Sequence, residues 1–145
     1  MTRASAIAVT FANQPRYRKL ARRLSQWCQE IRLPLTVFTE SFLRRATPYH
    51  GHANSPYSFK IHALEVVAAK ANVIVWLDTS VLLLPRGLQK LWRIVQQDGY
   101  LVHVAAQWPL ADWVSDDCLE VFDVSRDDLA DLPICYSGFV AFDLT

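Results

Sequence analysis

Val73-Ile74-Val75-Trp76-Leu77-Asp78-Thr79-Ser80 decides how this chain is read. Five apolar residues in a row, mostly β-branched or aromatic, are too few for a helix core and show no alternation. They predict a strand buried on both faces, the signature of a central parallel strand. Asp78 arrives where that strand should run out, and in open α/β sheets ligands bind at the carboxyl ends of the strands. Asp78 is therefore the first candidate for a functional side chain.

Outward from this stretch the pattern is β-α-β. Ser5 to Phe11, rich in Ile, Val and Thr, predicts a first strand ending at Ala12-Asn13-Gln14-Pro15, with Pro near the start of the next helix. Tyr17, Leu20, Ala21, Leu24, Trp27, Cys28 and Ile31 recur at helical spacing, with Arg16, Arg18, Lys19, Arg22 and Arg23 on the complementary face, where solvent is the simplest partner. Pro34 closes this helix, and Leu35 to Thr39 predicts a second strand. Ser41 to Pro56 has no sustained period and reads as a loop with at most a short helical turn. His50 and His52 within it have no Cys, Asp or Glu close by to complete a metal site. Ser58 can cap a helix carrying Ile61, Leu64, Val67, Ala68 and Ala71 inward and leading into Val73. Lys60 falls in its first turn, where a cation opposes the helix dipole unless an anion is near.

Beyond Ser80, Pro85 opens a helix with Leu88, Leu91, Trp92 and Val95 on its inner face, ended by Gly99. Leu101 to Ala105 predicts another buried strand. Gln107 to Asp131 is polar and acidic, with Ser115 and Ser125 placed to cap short helices. Tyr136-Ser137-Gly138-Phe139-Val140-Ala141-Phe142 reads as a turn or bulge entering a last strand. The order predicts one α/β domain over residues 1–145, with a mostly parallel central sheet and helices on both faces.

Composition agrees with a folded globular chain. The 145 residues are 52% hydrophobic and 20% charged, enough for a core without disulfide or metal staples. Net charge is +1, but it is unevenly spread. Residues 1–50 hold nine Lys/Arg against Glu30 and Glu40, and residues 98–145 hold ten Asp/Glu against Arg126. Mutual attraction within one fold explains this without a dedicated anion-binding surface. Cys28, Cys118 and Cys135 are odd in number, far apart and at no zinc spacing, which predicts buried thiols and a reducing, cytoplasmic setting. No apolar run reaches membrane-spanning length, and a sequence pI near 7.8 with few interleaved aromatics disfavours nucleic acid.

A strand, then Asp78-Thr79-Ser80, then an apolar run into Pro85 and a helix, resembles the region around the DxD motif of GT-A glycosyltransferases, the nucleotide-diphospho-sugar transferase fold. Phe11-Ala12-Asn13 sits where that fold contacts the nucleobase. Tyr57-Ser58-Phe59-Lys60 opens the helix before the motif strand, and Tyr136-Ser137-Gly138-Phe139-Val140 is similar to the stretch lining the donor sugar. The resemblance implies the Rossmann-like donor-binding half of such an enzyme, with donor contacts from Phe11, Asn13, Lys60, Asp78, Thr79, Ser80, Ser137 and Gly138. It implies transfer of a sugar, of hexosyltransferase type, from a nucleotide-diphosphate sugar to an acceptor the motifs do not name.

In that family the last Asp of the motif binds manganese or magnesium, which neutralises the leaving diphosphate as a Lewis acid. Ser80 stands in that place, and a hydroxyl is a poorer ligand for a hard dication than a carboxylate. Three outcomes follow: Asp78 with Ser80 holds the ion beside phosphate and water, Lys60 takes over charge neutralisation, or the site binds nothing. The C-terminal segment in which GT-A enzymes place acceptor contacts, the catalytic base and often a His ligand has no counterpart, so no catalytic residue is assigned. Asp112, Asp116 and Asp117 include a conceivable base, although first-turn helix acids explain two of them.

Other readings stay in view. Asp78 can cap the following turn through an Asx-type bond. A haloacid-dehalogenase-like phosphatase also ends an apolar strand in Asp, but needs a second Asp where Ser80 lies. A non-catalytic α/β binding module, or a remnant of the transferase fold, requires no chemistry at all. Trp27, Trp76 and Trp92 are expected in the core, whereas Trp108 and Trp113 fall in a polar region suited to stacking on a sugar or base.

Overall fold

The computed structural model describes residues 4–54 and 57–145; Ser55 and Pro56, at the end of the expected 41–56 loop, lie outside the described residues. The elements run β1 (Ala4–Phe11), α1 (Pro15–Glu30), β2 (Leu35–Phe38), α2 (Glu40–Ala46), α3 (Phe59–Ala68), β3 (Ala71–Leu77), α4 (Pro85–Asp98), β4 (Tyr100–Pro109), α5 (Asp116–Phe122) and β5 (Pro133–Asp143). The fold is α/β, with one mixed sheet in the order β2-β1-β3-β5-β4. The chain divides into two compact units, residues 1–101 with 138–145 and residues 102–137.

In the first unit β3 is the central strand that its apolar run predicts. Val73 to Leu77 are each 8% exposed or less. Strand β1 lies parallel to β2, with Ala8 opposite Leu35 and Phe11 opposite Phe38, and parallel to β3, with Ala4 opposite Ala71 and Val9 opposite Trp76. Period-two alternation sends neighbouring side chains of β3 to opposite faces. Val73, Val75 and Leu77 meet Leu24 and Cys28 of α1 and Leu91 and Val95 of α4. Ile74 and Trp76 meet Leu43 of α2 and Ala63 and Val67 of α3. Helices thus cover both faces, and each fully buried Leu or Val contributes about 1.5–3 kcal/mol relative to exposure.

Helix boundaries follow local chemistry. Pro15 and Pro85 sit in the first turns of α1 and α4, where a missing N–H costs nothing. Helix α1 ends through Arg32 at φ +56°, two residues before Pro34. Gly99, at φ +81°, closes α4 with its N–H on the Val95 carbonyl, 2.9 Å away. Trp27, only partly buried, anchors α1 by donating its indole N–H to the Leu83 carbonyl at 2.6 Å.

Four expectations are corrected. Residues 40–46 form helix α2, begun by Thr39, whose Oγ1 accepts the Phe42 N–H at 3.4 Å, and braced by Arg44 on Glu40 at 3.4 Å. Strand β5 runs unbroken through Gly138, with no turn or bulge entering it, and lies antiparallel to β3, with Leu77 opposite Phe139 and Val73 opposite Asp143, within a sheet that is mostly parallel as expected. Between Leu101 and Ala105 only Ala105 is buried; His103 and Val104 are exposed. Of the three free cysteines only Cys28 is buried, its thiol pKa raised by that burial, while Cys135 is exposed.

The second unit carries α5 between two short 3-10 turns, Leu110–Asp112 and Asp127–Leu129. Ser115 caps α5 as expected, its Oγ accepting the Cys118 N–H at 3.3 Å. Ser125 pairs reciprocally with Asp128: Oγ donates to the carboxylate at 2.6 Å and accepts the Asp128 N–H at 3.2 Å. That bonding holds the Asp128 carboxyl below its ordinary pKa.

Candidate functional site

In the order β2-β1-β3 the chain leaves β1 on one side and returns on the other, so the carboxyl ends of β1 and β3 flank a topological switch point. Phe11 and Asp78 each stand two residues past the last β1–β3 pair, Val9 with Trp76. The backbone of Asp78 is fixed on both sides. Its N–H donates to the Gly138 carbonyl at 2.8 Å, and its own carbonyl accepts the Val81 N–H at 2.9 Å. Gly138 is buried in β5.

The Asp78 side chain, 36% exposed, reaches solvent. One of its oxygens, Oδ1, accepts the Trp76 indole N–H at 2.7 Å and lies 3.1 Å from the Lys60 ammonium. Lys60 comes from the first turn of α3 and its side chain is only 15% exposed. Its ammonium also sits 5.3 Å from the Trp76 ring centroid, a cation–π contact. Three residues from α3, β3 and the turn after β3 therefore hold one another. The turn that follows Asp78 is closed by backbone bonding, the Asp78 carbonyl accepting the Val81 N–H.

Aromatic packing sets the position of α3. The Phe59 ring stacks on Phe11 at 4.4 Å with 19° between planes, and meets Trp76 at 5.9 Å. Phe11 thus joins the end of β1 to the start of α3. Beside it, His52 meets Tyr57 edge-on at 5.3 Å and Phe59 at 5.9 Å. Tyr57 is 66% exposed and adopts φ +64°, a costly conformation for a bulky residue. Neither the exposed ring nor its backbone was singled out by the sequence; the aromatic run Tyr57-Ser58-Phe59 was the available signal. Ser58 takes the N-cap position of α3 with helical backbone and makes no side-chain cap bond.

The remaining candidates are placed as follows. Asn13 donates to Glu40 Oε2 at 2.7 Å, tying the loop after β1 to α2. Thr79 is buried at 8% exposure, and Ser80 is exposed. Ser137, also exposed, is the last residue of the second unit, and Gly138 is the first residue after it. The structure brings Lys60, Trp76 and Asp78 together, with Gly138 on the Asp78 backbone. It does not bring Asn13 into that group. In the second unit, Trp108 and Trp113 are 45% and 61% exposed and adjacent at 5.8 Å, and Asp116 pairs with Arg126 at 2.6 Å.

As they stand, these donors do not fit a divalent ion. Asp78 is a lone carboxylate whose Oδ1 already serves an ammonium and an indole N–H. Among the described residues no group of three or more His, Cys, Asp or Glu is placed to hold a metal. Two hollows elsewhere, of about 510 and 470 Å³, are lined by Ser25, Cys28 and Arg32 at the start of β2 and by Arg44, Tyr49 and His50 after α2; neither is lined by Asp78. Among the described residues no helix is long and apolar enough to cross a membrane. No protein-family model, curated protein or solved structure matches the chain.

Proposed function

We propose that the first unit is a Rossmann-like, GT-A-type donor-binding domain that takes a nucleotide-diphosphate sugar at the β1–β3 switch point and passes the sugar to an acceptor. One observation carries this reading: a solvent-reaching Asp78 paired with Lys60 at the carboxyl end of the buried central strand. In this reading the diphosphate lies at the start of α3, where the Lys60 charge and the positive helix end favour an anion. Positive charge there stabilises the leaving nucleoside diphosphate as the sugar–oxygen bond breaks. Exposed Ser80 supplies a hydroxyl, and Tyr57 supplies an exposed ring of the kind that stacks on a base. Phe11, already stacked on Phe59, shapes the floor.

A second reading, a non-catalytic remnant of this fold, is favoured by the internal use of Asp78, whose carboxylate bonds Trp76 and Lys60. Amide NMR with UDP-, GDP- and CDP-sugars separates the two. The donor reading expects one of them to perturb Asp78, Thr79, Ser80 and Gly138, to raise stability by about 2.7 kcal/mol at 100 times its dissociation constant, and to be hydrolysed slowly to nucleoside diphosphate and free sugar. Flat spectra with every donor, with and without manganese, make the remnant reading the correct one.

A further inference from the structure

We infer that this site takes a diphosphate without a divalent ion, with Lys60 as the resident cation and Asp78 acting on Lys60 rather than on a metal. The inference rests on the donor-site reading and departs from the metal expected by resemblance. The geometry of the Asp78 carboxylate is its basis. A magnesium or manganese ion bonds carboxylate oxygen at about 2.0–2.2 Å. Here Oδ1 is ion-paired with the Lys60 ammonium at 3.1 Å and accepts the Trp76 indole N–H at 2.7 Å. A dication joining that carboxylate would be drawn close to a fixed like charge, the Lys60 ammonium.

Lys60 is fixed as a surface lysine is not. Its side chain is 15% exposed, and its ammonium is held by Asp78 and by the face of a Trp76 that is itself 1% exposed. The ordering cost of a long flexible chain is thereby met before any ligand arrives. Its place in the first turn of α3 adds its charge to the positive end of a ten-residue helix. Placing both charges together is unfavourable for the helix alone and favourable once an anion binds. The neutral Ser80 in the third motif position agrees, since the second carboxylate that would hold a metal there is replaced.

The division of labour makes an unusual forecast for Asp78. If the carboxylate held a metal, Asp78→Asn would abolish diphosphate binding. If it only steadies Lys60, the amide oxygen still accepts from Trp76 and Lys60, one negative charge facing the diphosphate is gone, and binding is kept or strengthened.

The test is calorimetric titration of the whole chain with pyrophosphate, UDP and GDP, in EDTA and then in excess manganese. Expected are binding in EDTA unchanged by manganese, a loss of roughly tenfold or more in Lys60→Met, partial recovery in Lys60→Arg, and equal or tighter binding in Asp78→Asn. Binding seen only with manganese, or lost in Asp78→Asn with its circular dichroism intact, overturns the inference and leaves the donor reading standing. Pyrophosphate binding in EDTA with no nucleotide binding keeps the inference and overturns the nucleotide donor. Silence of all three probes in both conditions overturns both. Should Asp78→Asn fail to fold, the EDTA comparison on the unaltered chain decides.

Discussion

Two buried hydroxyls lack a hydrogen-bond partner among the described residues: Thr10 Oγ1 in β1 and the Tyr49 phenol. Tyr49 is 2% exposed beside the Glu40–Arg44 pair. Burial first, and then the Glu40 carboxylate, raise its pKa, partly offset by Arg44. A raised folded-state pKa means that the folded chain holds this proton more tightly than the unfolded one. Stability from this group is therefore complete below the ordinary tyrosine value of about 10 and is lost as pH rises through the folded value. Tyr49→Phe removes both the unpaired hydroxyl and the titration. The free energy of urea unfolding at neutral pH is expected to stay level or rise by up to about 1 kcal/mol, and the alkaline decline becomes shallower in the variant. An acid-side change, or a marked loss at neutral pH, would mean that the phenol has a partner after all.

Among the elements, α2 shows what a periodicity reading misses. Seven residues give too few turns for an apolar repeat, and only Leu43 is buried. The signals present were Thr39 ahead of Glu40, and Glu40 four residues before Arg44, each worth tenths of a kcal/mol to about one. Strand β3, by contrast, was legible because burial on both faces leaves an unbroken apolar run, and Asp78 because polarity interrupts that run abruptly. The Lys60–Asp78 pair was not legible as a contact: the two lie eighteen positions apart in the sequence, and tertiary docking of α3 on β3, through Phe59, Ala63 and Val67, brings them together. Gly138 suggested a bulge, whereas it serves as a buried strand position whose carbonyl receives the Asp78 N–H. Gly51 is the most exacting glycine near α2. Its φ is +98°, and a Cβ there would lie 2.5 Å from Arg44 Nη2 and 2.8 Å from Glu40 Oε1. Gly51→Ala is expected to cost about 1–3 kcal/mol in urea unfolding. In an Arg44→Ala background the clash with the guanidinium is relieved while the Glu40 contact and the backbone strain remain, so the cost should fall without vanishing.

For the molecule as a whole, charge and strand order bear on the same site. Fourteen of the fifteen Lys/Arg belong to the first unit and eight of the fourteen Asp/Glu to the second, so the unit carrying Lys60 is the one that attracts anions. The antiparallel placement of β5 was the least readable feature, because an extended run ending a chain does not say which slot in a sheet it fills. Its occupancy next to β3 has a consequence for how the protein can be made. A nascent chain cut after Leu101 owns every helix that covers the first unit's sheet, yet it presents the backbone edge of its most apolar strand to water. Such a fragment is expected to sediment as aggregate when expressed alone, and a synthetic peptide of residues 133–145 supplied during refolding should return it to the supernatant. A soluble, monomeric 1–101 fragment would show that Val73 to Leu77 needs no late-arriving neighbour.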